Sequence, residues 1–244
     1  MLTQEDLEQY RERGDCVYRK PLFSEEKFKR LKAIFEEHLE RKGEKLSDEL
    51  DTPHFHDERL LEFCLSDEVL DLVEPIVGPN IVLWTSHFIC KDPYTGRATP
   101  WHEDSSYWNG RFDRYDNIVT VWLAIDRATK ENGCMKVIPG THKNGGFSEY
   151  EEVDRKENTF ATRIKNLDTS GAVYIELEPN QCSLHDSRLI HGADANRSPH
   201  RRCGYTMRYF PSDTKVHHDF YKNKGWKFWL ARGRDLAGNS YVNV

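Results

Sequence analysis

The spacing of apolar positions changes character once along this chain. Up to about residue 80 the apolar residues recur at helical intervals. Thr3 sits where an N-cap is needed, with Asp6 three positions on and Leu7 placed to staple back onto Leu2, and Gly14 ends the segment. Ser24 caps a longer helix that carries Phe28, Leu31, Ile34, Phe35 and Leu39 and runs until Gly43. A third helix begins at Ser66, carries Leu70, Leu72, Val73 and Ile76, and stops at Gly78-Pro79. From Ile81 onward the pattern becomes short apolar and β-branched runs at 81–90, 117–125, 134–138, 172–177, 181–185 and 203–210, separated by turn residues such as Pro139-Gly140 and Pro179-Asn180. Short strands without intervening helices predict a mainly β protein, a barrel or sandwich with N-terminal helices stacked on it. We read 1–244 as one domain: supporting helices in 1–80, strands in 81–211 with a polar insertion at 145–170, and an extension at 212–244. The aromatic and basic stretch 226–234 predicts a short amphipathic closing helix or a subunit contact.

Composition narrows the function classes. Apolar residues form 37% of 244, enough for a substantial core, and 35 Lys plus Arg against 41 Asp plus Glu leave a net charge of -6. That balance argues against nucleic acid and against an anionic membrane surface as partners. The central apolar run, Val121 to Ile125, is far short of the ~20 residues a spanning helix needs. The acidic start, Glu5-Asp6, is unlike a secretory signal, and six cysteines scattered without a Cys-x-x-Cys pair read as reduced thiols. The expectation is a cytoplasmic protein, monomer or homodimer, acting on a small molecule.

Three side chains carry candidate metal chemistry. His102 and Asp104 are two apart, so an extended backbone points both to the same side. His191 lies far downstream, and two imidazoles with one carboxylate form the facial set that suits Fe(II) and leaves adjacent positions open. Arg202, eleven residues after His191, offers a planar fork for a carboxylate. Neighbouring Arg201 has the same chemistry but, by strand alternation, only one of the two faces inward.

These residues lie within longer strings: Pro100-Trp101-His102-Glu103-Asp104, Val121-Trp122-Leu123-Ala124-Ile125-Asp126, Glu131-Asn132-Gly133-Cys134-Met135-Lys136-Val137-Ile138-Pro139-Gly140-Thr141-His142, and the stretch from His191 to Arg202. In that order they resemble the phytanoyl-CoA dioxygenase-like family of Fe(II) and 2-oxoglutarate dependent oxygenases, over most of the chain up to about Pro211. The resemblance implies a double-stranded β-helix (jelly-roll) barrel, with His102, Asp104 and His191 as iron ligands and Arg202 pairing with the far carboxylate of 2-oxoglutarate. It implies hydroxylation of a C–H bond, using O2 and releasing succinate and carbon dioxide. Trp122 and His87 would wall the cosubstrate pocket. Many relatives carry Ser two residues after the distal His; here Ala193 stands there, so Thr120 or water would have to supply that contact. Halogen-transferring relatives replace the carboxylate by a small residue, and Asp104 argues against that reaction. A metal-binding barrel holding Zn or Ni and ignoring the keto acid is the alternative, and an outward-turned Arg202 would favour it.

Other candidates are less specific. Trp101, Tyr107, Trp108 and Tyr115, with Arg111 and Arg114, follow the metal turn and are candidates for the substrate wall, the arginines pointing to a polar or anionic substrate. His56, in His54-Phe55-His56, could reach the mouth, although paired histidines in a loop read more simply as solvated. His185-Asp186 repeats the pairing, but neighbours on a strand face opposite ways. His142 reads as a turn residue and His217-His218 as surface.

Overall fold

A computed structural model describes residues 1–243; residue 244, the end of the expected extension, lies outside the described residues. Helix α1 (Gln4–Arg13) leads into β1 (Asp15–Tyr18), α2 (Glu25–Glu40), β2 (Leu50–Asp51), α3 (Leu61–Cys64) and α4 (Asp67–Val77). Strands β3 (Ile81–Lys91) and β4 (Thr99–His102) precede the short α5 (Asp104–Trp108). There follow β5 (Val119–Ala124), β6 (Met135–Val137), β7 (Tyr150–Glu152), β8 (Thr162–Ile164), β9 (Val173–Ile175), β10 (Cys182–Asp186), β11 (His191–Ala193), β12 (Arg202–Pro211) and β13 (Trp229–Arg232).

Caps set the ends of α1 where the sequence places them, while α2 stops at Glu40, short of the expected Gly43. The Thr3 hydroxyl accepts from the Asp6 amide at 3.1 Å while the Asp6 carboxylate accepts from the Thr3 amide at 2.7 Å, a closed capping box. Gly14 ends α1 at φ 82°, a left-handed conformation that costs glycine nothing.

The strands form two main sheets. The larger has the order β1-β10-β5-β12-β3-β13, with β2 also on β3; the smaller is β4-β11-β6-β9. Alternation divides the larger sheet into two functional faces. Cys203, Tyr205, Met207 and Tyr209 of β12, with Val121 and Leu123 of β5, pack outward in one cluster with Leu31 and Phe35 of α2 and Leu70 and Val73 of α4. Each such fully buried large side chain contributes roughly 1.5–3 kcal/mol. The intervening residues Arg202, Thr206 and Arg208 of β12, with Thr120 and Trp122 of β5, face a cavity of about 90 Å³ that also touches β4, β6 and β11 of the smaller sheet. The site therefore lies between the sheets, and the helices stiffen the far face.

Three expectations are corrected here. The stretch 226–234 forms no helix: β13 extends the sheet on β3, because Trp229 is driven into the core beside His54 and Phe55. Residues 145–170 are not merely a solvated insertion, since β7 and β8 pair as a hairpin and Asn158 bridges Ala98. His54 is buried rather than solvated, with Nδ1 2.6 Å from the Ser86 hydroxyl. Among the described residues no helix is long and apolar enough to cross a membrane.

Candidate metal centre

Strand pairing brings the two distant histidines together. His191 on β11 stands directly opposite His102 on β4, and their ring centroids are 4.1 Å apart. Glu103 is extended (φ -112°, ψ 130°), so Asp104, first residue of α5, projects to the same side as His102. Its Oδ1 lies 3.5 Å from Nε2 of His102 and 4.0 Å from Nε2 of His191, and one ligand atom from each of the three residues lies within 4.8 Å of the others. All three are buried.

The imidazoles are held in one orientation by the same local device. Nδ1–H of His102 donates to the Pro100 carbonyl at 2.8 Å, and Nδ1–H of His191 to the Leu189 carbonyl at 2.9 Å, each two residues back. That fixes the tautomer with Nε2 as the lone-pair donor toward Asp104. Burial, then the neighbouring His102 and His185, hold His191 well below the ordinary histidine range, which keeps it neutral. Burial opposes ionisation of Asp104, but Arg208, the contact with His102 and the nearby His191 outweigh it and hold the carboxyl well below its usual value. Two imidazoles oriented by their Nδ1–H bonds and an ionised carboxylate on one wall of a cavity make a donor set that fits Fe(II) with its other positions turned to the cavity.

Arg202 turns inward and is buried; Nε and Nη2 donate to the Gly133 carbonyl at 2.9 and 2.6 Å, and the guanidinium stands 5.3 Å from the Trp122 ring centroid. Burial lowers its proton affinity. Gly133 lies at φ 78°, and a Cβ there would come within 2.4 Å of the Asp194 carbonyl oxygen, so only glycine presents this acceptor. Arg201 turns the other way and pairs with Glu36 and Asp126 at 2.6 and 2.7 Å. Beside Arg202 in register is Lys91, buried, donating to the Arg97 carbonyl; burial and then Arg202 push its amine well below the ordinary lysine range.

Of the other residues singled out in the sequence, His87, Thr120 and Trp122 line the cavity; Trp101, Tyr107, Trp108 and His56 do not. Trp101 alternates outward, its ring 4.9 Å from the Lys136 amine. Trp108 is buried edge-on against Trp84 at 4.8 Å. Tyr107 packs at 4.9 Å on Phe160, and the Phe160 ring, 4.9 Å from His102, is what reaches the cavity. Thr120 does not serve Arg202: its hydroxyl donates to Asp104 Oδ2 at 3.4 Å, and the Arg202 contact is the Gly133 carbonyl instead. Arg111 and Arg114 miss the cavity too, Arg111 lying over Trp226 at 4.2 Å and Arg114 pairing with Asp213. The lining also includes Arg208, Asp48, Thr159 and Phe160, which the sequence did not single out, and His185, whose neighbour Asp186 turns away to Arg188. Alternation from Arg202 reaches Arg208 on the same face and was a usable signal; the hairpin residues gave none.

Residues 10–204 match the family model described as phytanoyl-CoA dioxygenase (PhyH). A probable phytanoyl-CoA dioxygenase of Caenorhabditis elegans is 30% identical over 222 residues, 87% of this chain and 70% of that one. The peroxisomal phytanoyl-CoA dioxygenase of Bos taurus is 33% identical over 148 residues, 58% of this chain and 43% of that one, so the match spans less than half of the bovine protein. The fold is similar to that of EvdO2 from Micromonospora carbonacea complexed with 2-oxoglutarate, with a TM-score of 0.70, 22% identity, and coverage of 90% of this chain and 94% of that one. With a buried two-histidine, one-carboxylate cluster between its sheets, this chain belongs to the phytanoyl-CoA dioxygenase family.

Proposed function

We propose that the enzyme hydroxylates a C–H bond of a small, polar or anionic molecule, with release of succinate and carbon dioxide. The observation that carries this reading is the convergence of His102, Asp104 and His191 on one wall of a cavity whose lining also includes Arg202. His102, Asp104 and His191 would hold the iron; the bound metal with its keto acid and O2 supplies the oxidising power that no side chain here has. Arg202 would take the far carboxylate of 2-oxoglutarate. An unpaired buried carboxylate costs several kcal/mol, and a guanidinium already fixed by the Gly133 carbonyl meets it at little further entropic cost. Trp122, Met135 and Ile89 line the same space with apolar surface that excludes water. Two sheets facing each other across the site support the double-stranded β-helix as the architecture. Six buried, unpaired cysteines are in keeping with a reducing compartment such as the cytoplasm.

The test is 2-oxoglutarate-dependent oxygen uptake by the iron-loaded enzyme, with succinate measured in parallel. The reading expects both, and expects both to vanish in His191→Ala. Unchanged turnover in that variant, or oxygen uptake indifferent to the keto acid, would refute it.

A further inference from the structure

Three adjacent strands of the larger sheet place His185, Thr120 and Arg208 in one row: His185 on β10 is in register with Thr120 on β5, which is in register with Arg208 on β12. All three line the cavity, and all approach the same atom, Asp104 Oδ2: Thr120 Oγ1 at 3.4 Å, Arg208 Nε at 3.5 Å and His185 Nε2 at 3.9 Å. Only the threonine makes a hydrogen bond. Arg208 Nε is buried without a hydrogen-bond partner, and so are both ring nitrogens of His185, a residue only 2% exposed. Buried polar atoms are nearly always satisfied. Three unsatisfied ones lining a single cavity mark a place that a ligand completes.

The sign of that ligand follows from charge. Arg208 faces Asp104 at 3.5 Å, but Asp104 would also serve the metal; Arg202 is reserved for the keto acid, and Asp48 is balanced by Arg97, whose Nε lies 3.0 Å from it. With Asp104 shared between the metal and Arg208, the always-charged guanidinium keeps positive charge to spare for a second oxyanion. A buried cation that is only partly balanced is costly. Arg208 is also pre-positioned: Nη1 donates to Thr206 Oγ1 at 3.3 Å, and the guanidinium lies 5.5 Å from the Trp108 ring centroid.

Resting on the hydroxylase reading, we propose that Arg208 and His185 form the substrate's anion site, holding one carboxylate- or sulfonate-like oxyanion of a small monoanionic substrate beside the metal. Arg208 is then a residue of substrate specificity, separate from the Arg202 that serves the keto acid.

The probes are the straight-chain carboxylates from propionate to octanoate, the matching alkanesulfonates and the matching primary amides. Their binding is measured by calorimetry under argon on enzyme loaded with Mn(II) and 2-oxoglutarate. Acids of the fitting chain length should bind at least about tenfold tighter than their amides, the factor one charge-assisted hydrogen bond supplies. In Arg208→Gln that preference should collapse, and in Arg208→Lys it should survive in part. Acids and amides binding alike to the native enzyme would overturn the proposal and reduce Arg208 to a partner of Asp104; that comparison needs no variant to fold. An undiminished preference in Arg208→Gln would overturn it equally. If acids are preferred yet iron and O2 never consume the keto acid, the anion site stands and the hydroxylase reading falls.

Discussion

Two walls of one cavity meet at Asp104, and they treat their histidines differently. On the smaller sheet, His102 and His191 each have Nδ1 tied to a carbonyl two residues back, leaving one defined nitrogen for a ligand. On the larger sheet, His185 is as deeply buried and its ring lies only 4.7 Å from that of His191, yet neither of its nitrogens has a partner. A ring whose tautomer and tilt are fixed beforehand suits a resident metal, because little orientational freedom remains to be lost on binding. One left unsatisfied suits a group that comes and goes. The same contrast separates the arginines of β12: Arg202 is tied twice to the Gly133 carbonyl, whereas Arg208 keeps a bare Nε.

The most direct way to break this comparison is to remove a tied imidazole. His191→Ala should lower iron affinity more than ~100-fold, beyond what loss of an outer hydrogen-bond partner costs, and should abolish succinate formation; iron content after gel filtration and product assay check it. A variant that keeps its metal would show that the two walls are equivalent.

Arg202→Gln should raise the KM for 2-oxoglutarate by about 10- to 100-fold, the worth of a hydrogen bond to a charged group. Iron content should stay near that of the native enzyme, since the ligands lie on other elements. A KM that does not move would transfer the keto acid to Arg208 and erase the division of labour along β12.

Gly204→Ala sharpens the comparison through packing. A Cβ there would come within 2.2 Å of the Trp122 ring, which lies against the glycine inside the cavity. Overpacking of this kind costs about 1–3 kcal/mol. Denaturant unfolding should register it, with a matching loss in keto-acid affinity as Trp122 is displaced toward Arg202.

The effect that is smallest near neutral pH concerns His54, a buried histidine outside the cavity. Burial, then Lys227 and His56, push it down to about 3 from 6.5. A histidine held neutral in the folded state takes up its proton only on unfolding, so its contribution is complete above ~6.5 and is lost as the pH falls toward 3, by about 1.4 kcal/mol per unit. His54→Gln should flatten the dependence of unfolding free energy on pH between about 4 and 6. An unchanged slope would assign acid instability to the unsatisfied cavity histidine His185 instead.

Much of the frame was legible from local rules. Thr3 and Ser24 mark helix starts because each hydroxyl accepts from the amide three residues on, whereas Ser66 stands at a helix start with its hydroxyl donating back to the Phe63 carbonyl. The runs at 81–90 and 203–210 anticipate β3 and β12 within a residue or two, since long β-branched and aromatic strands carry their own signal. Short elements did not announce themselves: β11 is three residues, and β13 is a strand only because Trp229 finds the core beside β3. The choice between Arg201 and Arg202 was left to alternation, and the register Arg202 to Lys91 decides it. Ala193 offers Arg202 no hydroxyl and Thr120 does not replace it; the Gly133 carbonyl holds Arg202, a contact across 69 positions that no spacing rule reaches.

The sequence by itself determined the ligand types, the His102–Asp104 spacing and the helical and strand periods, because each depends on bonds within a few residues. Tertiary structure alone decided which buried side chains share an oxygen of Asp104. Thr120, His185 and Arg208 come from three strands, and only the sheet's hydrogen-bond register, set by all of them at once, lines them up.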